Sequence, residues 1–315
     1  MLIIKSINLG GYAMKMAMSR RYDPSYEALM LQRKKITPKK VKRFGLNTVC
    51  FILALKVAVF MAIPFLYMAL MSLIPESNMI FTDPPTFIAD TLRWKNFVDA
   101  WKSINMGKLL LNTIIMVIAS MGIGLTASIF VAYGFSRFKN KFSNVFFIIL
   151  LSTMMIPWVV TMIPSYALFE KLGWIGTRLP LIIPWIGGSA FNVFMIKQFM
   201  DDIPKDLDEA AKIDGANSFT SLFTVILPQI KPCLATLLVY SFINAWCDFV
   251  GPSIYLQNPD TYTLSIGMQL FFPATGSPNW ALVMAGSLMF SIPMVLVLVF
   301  AQKAFVRGIV NSGIK

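Results

Sequence analysis

Six long apolar runs dominate this chain of 315 residues and constrain its fold more than any other feature. A helix that crosses a bilayer needs about 20 mostly apolar residues, and each run reaches that length. The runs are too long for the strands of a membrane barrel, so they predict an all-α membrane protein with six transmembrane helices. The predicted spans are Leu46–Ile74, Leu109–Phe135, Val145–Phe169, Leu179–Met200, Cys233–Leu256 and Trp280–Ala304.

The composition argues against several other classes of protein. Only 14% of the residues are charged and 57% are hydrophobic, unlike a soluble domain or a disordered chain. The chain has no histidine, which excludes histidine-based catalysis and histidine metal ligation. Its three cysteines lie in apolar segments without a C-x-x-C spacing, so neither a zinc site nor a disulfide framework is indicated. We therefore expect no catalytic residue, no metal site and no cofactor site in this chain.

Lysine and arginine are distributed unevenly between the two ends of the predicted spans. The N-terminal segment, the second and fourth connections and the C-terminus carry 21 of the 28 basic residues, whereas the opposite side carries six. Because cytoplasmic loops are enriched in these residues, both termini are predicted to be cytoplasmic. The same bias accounts for most of the net charge of +13, so nucleic acid is not expected as a partner.

The polar connection 201–228, between the fourth and fifth spans, is the most informative segment. It is predicted to form two short helices around a turn, with Gly215 in the left-handed conformation that ends a helix and Ser218 as the cap of the second helix. The pattern alone fits an amphipathic helix on the membrane surface as well as a helix docked into a basic cleft of a soluble partner. The apolar face predicted for the second helix consists of Phe219, Leu222, Phe223 and Ile226.

The connection contains Glu209-Ala210-Ala211, three residues, Gly215, nine residues and then Val225-x-Leu227-Pro228. This order resembles the EAA loop of binding-protein-dependent ABC importer permeases, with valine where the family has isoleucine. The likeness covers nearly the whole chain from about residue 45. It favours the carbohydrate-uptake class, which includes the smaller membrane subunit of maltose transporters. Further similar phrases are Asn112-Thr113, Ala132-Tyr-Gly-Phe-Ser-Arg137-Phe and Tyr262-Thr-Leu-Ser-Ile-Gly-Met268.

The resemblance implies a type I importer permease in a bacterial or archaeal cell membrane. Such a subunit pairs with a second homologous permease, two ABC ATPase subunits and an extracytoplasmic solute-binding protein that delivers a sugar or oligosaccharide. The chain lacks G-x-x-x-x-G-K-[ST], so ATP and Mg would be bound by the partner ATPase and this subunit would not be an enzyme. The residues that the resemblance assigns to ATPase coupling are Glu209, Ala210, Ala211, Gly215, Phe219, Leu222, Phe223, Leu227 and Pro228.

Several polar and aromatic residues within or near the spans are candidates for a translocation pathway. Aromatic faces and amide groups suit a sugar, but tryptophan is also common at membrane interfaces, so a structural role is equally open. The carboxylate of Asp248 is expected to face a cavity or a partner instead of lipid. The outer loop 251–279 resembles the family's segment that probes the binding protein. The pathway candidates are Trp158, Asn192, Asn244, Trp246 and Asp248.

The sequence divides into four predicted regions along the chain. They are a basic cytoplasmic tail at 1–45, a first span with its outer loop at 46–107, a permease core at 108–303 and a cytoplasmic C-terminal tail at 304–315. Two alternative functions remain open. One is an ABC permease for a peptide, a polyamine or phosphate, since the EAA loop does not identify the solute. The other is a secondary transporter, which would need no ATPase.

Overall fold

The computed structural model describes residues 38–75, 91–138 and 140–312. The predicted tails at 1–45 and 304–315, and part of the first outer loop, therefore lie partly outside the described residues. Every regular element in the described part of the chain is helical, in agreement with the predicted all-α fold.

We number the helices of the described residues in chain order. Shorter 3-10 turns occupy Ile183–Gly187, Pro259–Thr261 and Met268–Phe271, and a π-helical turn occupies Leu222–Ile226. The helices are α1 (Pro38–Ser72), α2 (Lys95–Ser103), α3 (Met106–Arg137), α4 (Ser143–Thr153), α5 (Trp158–Lys171), α6 (Leu179–Ile182), α7 (Ala190–Asp201), α8 (Asp206–Ile213), α9 (Ser218–Ser221), α10 (Leu227–Gln229), α11 (Lys231–Cys247), α12 (Val250–Tyr255), α13 (Leu264–Gly267) and α14 (Trp280–Ser312).

Four helical stretches in the described residues are long and apolar enough to cross a membrane, and two bent helix pairs raise this number to six at most. The four stretches coincide with the first, second, fourth and sixth predicted spans. The chain is therefore a multi-pass membrane protein by length and composition of its helices. The four stretches are Asn47–Ser72, Met106–Arg137, Leu179–Asp201 and Trp280–Gln302.

The third predicted span, Val145–Phe169, is not one straight helix. Helices α4 and α5 meet at an angle of 94° across a short break. Pro157 precedes α5 with an extended ψ of 131°. Proline has no N–H to donate and disfavours helical backbone in the residue before it, so the break falls where the sequence places Pro157.

The fifth predicted span, Cys233–Leu256, ends earlier than predicted. Helix α11 stops at Cys247, and Asp248 has an extended backbone with ψ of 119°. The Asp248 carboxylate accepts a hydrogen bond from the N–H of Gly251 at 3.2 Å, in the first turn of α12. A side chain that satisfies a free N–H at a helix start favours this break. The break places the carboxylate between two helices instead of inside one.

The chain divides into two compact units within α1, Met1–Pro64 and Phe65–Lys315. In the first unit, the side chains of the described residues from 47 to 64 are exposed. They are predominantly apolar, which suits a helix whose sides face lipid.

Helix α3 is central to the second unit and packs against α7, α11 and the 3-10 turn Ile183–Gly187. Small buried residues of α3 allow the helix to lie close to the residues that follow this turn. The Oγ of Ser128 accepts a hydrogen bond from the N–H of Ser189 at 3.0 Å. Gly188 has a φ of 75°, and a Cβ there would lie 3.1 Å from the backbone nitrogen of Ser128. Hydrophobic cores lie around both ends of α3, one with α7 and α11 and the other with α2, α13 and α14.

Candidate coupling loop and central cavity

The connection 201–228, which we call the coupling loop, folds as the predicted pair of short helices around a turn. Gly215 adopts a φ of 86°, the left-handed conformation expected of a residue that ends a helix. The cap of the second helix differs from the prediction by one residue. Asn217, not Ser218, is the N-cap, and its Oδ1 accepts from the N–H of Thr220 at 2.8 Å. Asparagine and serine cap helices about equally well, so their order in the turn decides which one is used.

The exposed residues of this loop include large apolar side chains and a carboxylate. Ile213 is 86% exposed and Phe219 is 62% exposed, although the ring of Phe219 also lies 5.5 Å from that of Phe130. Large apolar side chains that cluster on a surface are typical of an interaction site. We call this surface the coupling face. It consists of Leu207, Glu209, Ala210, Ile213, Phe219 and Phe223, all exposed.

The remaining predicted coupling residues lie away from the coupling face or at its margin. Leu222 is 1% exposed and packs with Ile226 in the core formed around the end of α3. The structure therefore places Leu222 in the interior of this chain instead of on the predicted contact surface. Ala211 and Leu227 are half-buried, and Pro228 is exposed.

The inward side of the loop carries a buried ion pair. The Nε of Arg137, the last residue of α3, lies 2.7 Å from the Oδ2 of Asp208 on α8. Ser221 donates to the other carboxylate oxygen of Asp208 at 2.7 Å, and Tyr133 donates to the carbonyl of Ser218 at 3.0 Å. Both helices of the loop are thus fastened to α3. Sequence reasoning missed Asp208 because an ion pair between distant segments leaves no local pattern.

A cavity of about 910 Å³ lies beside α3 and brings together four of the five pathway candidates. Trp158, Asn192, Asn244 and Asp248 all line it. Among the described residues that line the cavity there is no lysine or arginine, and Asp248 is the single charged side chain. Within the part of the chain that the structure describes, no cluster of acidic or cysteine side chains is arranged to hold a metal ion.

Asn192 offers an unused hydrogen-bond acceptor at this cavity. It is 5% exposed, and its Nδ2 lies 3.5 Å from the Oγ of Ser241. No donor in the described part of the chain is hydrogen-bonded to its Oδ1. A buried acceptor without a partner is costly, so Oδ1 is a candidate to accept a hydrogen bond when the side chain turns toward the cavity. Asn244 differs, since its Nδ2 already donates to the carbonyl of Tyr240 at 2.8 Å.

Trp246, the fifth pathway candidate, does not line the cavity. Its side chain is 1% exposed, and its Nε1 donates to the carbonyl of Phe290 at 3.1 Å. The indole also stacks on Phe242 with ring centroids 5.4 Å apart. Trp246 therefore has a structural role in the core. This corrects its prediction as a pathway residue.

The other end of α3 fastens the predicted outer loop. The Nδ2 of Asn112 donates to the carbonyls of Asp260 and Tyr262, both at 2.9 Å. Its Oδ1 accepts from Arg178 at 2.6 Å. Lys108 pairs with Asp260, and this hydrogen bond lowers the pKa of the Asp260 carboxyl. Two phrases that carried the family resemblance, around Asn112 and around Tyr262, are thus in contact.

The described residues thus combine apolar helices long enough to cross a membrane with a cavity lined by polar and aromatic groups. The family described as binding-protein-dependent transport system inner membrane component matches residues 124–311. The chain belongs to this family, which confirms the resemblance found in the sequence. It is a permease subunit of an ABC transport system and not an enzyme, and ATP hydrolysis resides in separate subunits.

Three curated relatives align with most of the chain. The galactooligosaccharides transport system permease protein GanQ of Bacillus subtilis (strain 168) is 32% identical over 281 residues, covering 88% of this chain and 98% of that protein. The sn-glycerol-3-phosphate transport system permease protein UgpE of Yersinia pestis is 30% identical, covering 86% and 98%. The arabinooligosaccharides transport system permease protein AraQ of Halalkalibacterium halodurans is also 30% identical, covering 81% and 95%.

Solved structures share the fold. A chain of a bacterial ABC transporter that imports the acidic polysaccharide alginate superposes with a TM-score of 0.73 and 21% identity, over 86% of this chain and all of that chain. A chain of a bacterial alginate ABC transporter, solved with its pentasaccharide-bound periplasmic protein, superposes with a TM-score of 0.59 and 18% identity, over 84% and 94%. The fold of the chain is therefore that of an ABC importer permease.

Proposed function

We propose that this chain is one of two permease subunits of an ATP-driven importer for a neutral sugar or oligosaccharide. The observation that carries the proposal is the chemistry of the cavity beside α3, which combines aromatic and amide groups with one carboxylate and no basic residue. The names of two relatives, GanQ and AraQ, point to neutral oligosaccharides as well.

The cavity suits a polyhydroxylated solute in size and in chemistry. Its volume of about 910 Å³ is within the range of pockets that hold small molecules. Trp158 offers an apolar ring face, and Asn192 and Asp248 offer acceptors for hydroxyl groups. An anion such as glycerol phosphate would find no cation among the described residues with which this chain lines the cavity, and burial of an unpaired charge is costly. Among the solutes of the relatives, a neutral sugar is therefore favoured over a phosphate ester.

The proposed topology has six spans with both termini in the cytoplasm of a bacterial or archaeal cell. The distribution of 21 against six basic residues supports this orientation. It counts each bent helix pair as carrying one span and assigns the permease core to residues 108–303. It also places the coupling loop in the cytoplasm and the loop held by Asn112 on the outer side.

The coupling loop is proposed to dock on the ABC ATPase, which binds ATP and Mg. Glu209 would meet a basic residue of the ATPase, while Phe219 and Phe223 supply apolar contact and Gly215 permits the turn. Leu222 is left out of this contact because it is buried. Closure of the two ATPases would move the loop and the attached helices, so that the cavity, shared with the second permease, opens alternately to each side. The solute-binding protein delivers the sugar from outside.

The proposal can be tested on the assembled transporter in proteoliposomes. The chain is co-purified with its partner permease, ATPase and binding protein, and ATP hydrolysis is measured with galactotriose, arabinotriose, sn-glycerol 3-phosphate or spermidine. We expect a neutral sugar to stimulate hydrolysis and to enter the vesicles. Stimulation by sn-glycerol 3-phosphate or by spermidine, with none by either sugar, would overturn the sugar assignment. Solute uptake by the chain without any ATPase would overturn the permease assignment and favour a secondary transporter.

A further inference from the structure

Arg137 contacts the end of α7, the residues that follow it and helix α8. Its Nε pairs with Asp208 on α8 at 2.7 Å, and its Nη1 and Nη2 donate to the carbonyls of Met200 at 2.9 Å and Ile203 at 3.2 Å. These carbonyls belong to the last turn of α7 and to the residues that follow it. A cation is favourable at the end of a helix, where carbonyls lack helical partners. One guanidinium group thus joins the ends of α3 and α7 to the coupling loop.

The ion pair is buried, whereas the neighbouring residue of α8 is exposed. Side chains of Arg137 and Asp208 are 7% and 11% exposed, and Ser221 on α9 completes the carboxylate's contacts. Glu209 follows Asp208 directly and belongs to the coupling face. Adjacent acidic residues of one short helix therefore have opposite surroundings. One faces the proposed site of the ATPase and the other holds α3.

Helix α3 leads without interruption from Arg137 to the cavity. It has no proline within Met106–Arg137, and its residues Ser120 and Gly124 line the cavity. At 1.5 Å per residue, Gly124 lies roughly 20 Å along the helix from Arg137. A displacement applied at Arg137 therefore moves the wall of the cavity, because a continuous helix bends little over this distance.

We propose that Arg137 is a positioning residue for transport, which transmits the movement of the coupling loop to α3 through its ion pair with Asp208. The inference rests on the proposed function of that loop as the ATPase contact. The shape of the guanidinium group is required, since Nη1 and Nη2 donate to two carbonyls while Nε lies 2.7 Å from the Asp208 carboxylate. Lysine carries the same charge but cannot make these contacts together.

The test measures sugar uptake and ATP hydrolysis together on the complete transporter in proteoliposomes. The variants are Arg137→Lys, which keeps the charge, and Asp208→Asn, which keeps the volume and an acceptor for Ser221. The matched control is Arg93→Lys, because Arg93 likewise pairs with a carboxylate, that of Asp99 at 3.3 Å, and donates to a carbonyl, that of Pro75 at 3.3 Å, outside the coupling loop. We expect uptake per ATP hydrolysed to fall about tenfold in both Arg137→Lys and Asp208→Asn, a typical size for coupling between two sites. The ratio in the control should be unchanged.

The amount of ATPase retained by each variant in a pull-down separates positioning from assembly. We expect Arg137→Lys and Asp208→Asn to retain the ATPase, because the coupling face itself is intact. Less assembled complex with an unchanged ratio of uptake to hydrolysis would make Arg137 a purely structural residue and overturn the inference. Failure of both variants to accumulate would overturn it in the same way. Failure of the unaltered chain to bind the ATPase would instead contradict the proposed function.

Discussion

Gly215 allows the backbone requirement of the coupling turn to be separated from any steric effect. Its φ is 86°, and a Cβ built on it would meet no atom within 4 Å. A side chain at this position therefore has room but must adopt a conformation that L-residues disfavour. The left-handed conformation costs about 1–2 kcal/mol for an ordinary residue and is especially poor for a β-branched one.

We expect Gly215→Val to weaken binding of the ATPase by roughly thirtyfold. A backbone cost of about 2 kcal/mol corresponds to a factor of that size if docking requires the native turn. Gly215→Asn is the matched control, because asparagine enters the left-handed region more easily than other non-glycine residues. It adds a side chain in the same space and is expected to change the affinity by less than about fivefold.

The measurement is a titration of the ATPase subunit against the permease pair in nanodiscs, followed by sugar uptake with the full transporter. Uptake should fall in the same order as affinity, with the asparagine variant above the valine variant. Native affinity in Gly215→Val would refute the requirement for a left-handed turn. Equal losses in both variants would refute the backbone explanation and point to contact of a partner with the glycine itself.

Three further predictions concern the coupling face, the topology and the cavity. Glu209→Lys should weaken ATPase binding by at least about tenfold in the same titration, since an interfacial charge pair is lost and reversed; unchanged affinity would remove Glu209 from the interface. In a chain whose three native cysteines are replaced by alanine, Lys212→Cys should react with an impermeant thiol reagent only from the cytoplasm and Gln257→Cys only from outside; the reverse pattern would contradict the proposed topology. Trp246→Ala should destabilise the protein by about 3–5 kcal/mol, seen as a lower unfolding temperature. Trp158→Ala should lower sugar uptake with a much smaller thermal shift, and the opposite pattern would exchange the roles of the two residues.

The coupling loop shows what helical periodicity can and cannot predict. The spacing of apolar residues and the position of Gly215 were enough to predict two helices and a turn. The spacing predicts one four-residue apolar face, but Leu222 and Ile226 are buried while Phe219 and Phe223 are exposed. An apolar face of this width can contact the core of the chain with some residues and a partner protein with others. Helical periodicity alone does not show which residues do which. The π-helical turn at Leu222–Ile226 also changes the direction in which the following side chains point, relative to a regular α-helix.

The spans show a similar division between local and distant effects. Four of the predicted spans coincide with helical stretches long and apolar enough to cross a membrane, because a long apolar run leaves little choice of structure there. The breaks beside Pro157 and Asp248 depend on one residue each, and hydrophobicity averaged over a span does not register them. For the cavity, the residue types identified Trp158, Asn192, Asn244 and Asp248. Only the packing in the structure shows that Trp246 belongs to the core, because an indole suits a hydrophobic core as well as the wall of a cavity.

The attachment of α3 at both ends has a thermodynamic consequence. Asn112 holds the proposed outer loop and Arg137 holds the proposed coupling loop, roughly 38 Å apart along the same helix. Suppose that a protein binds the loop held by Asn112 more tightly in one position of α3 than in another. Its binding must then change the affinity of the loop held by Arg137 for the ligand of that loop. Linkage requires the converse effect to be equal, so ATPase docking would alter the affinity of the outer loop for a binding protein by the same factor. A measurement at either surface therefore reports on the free energy of events at the other.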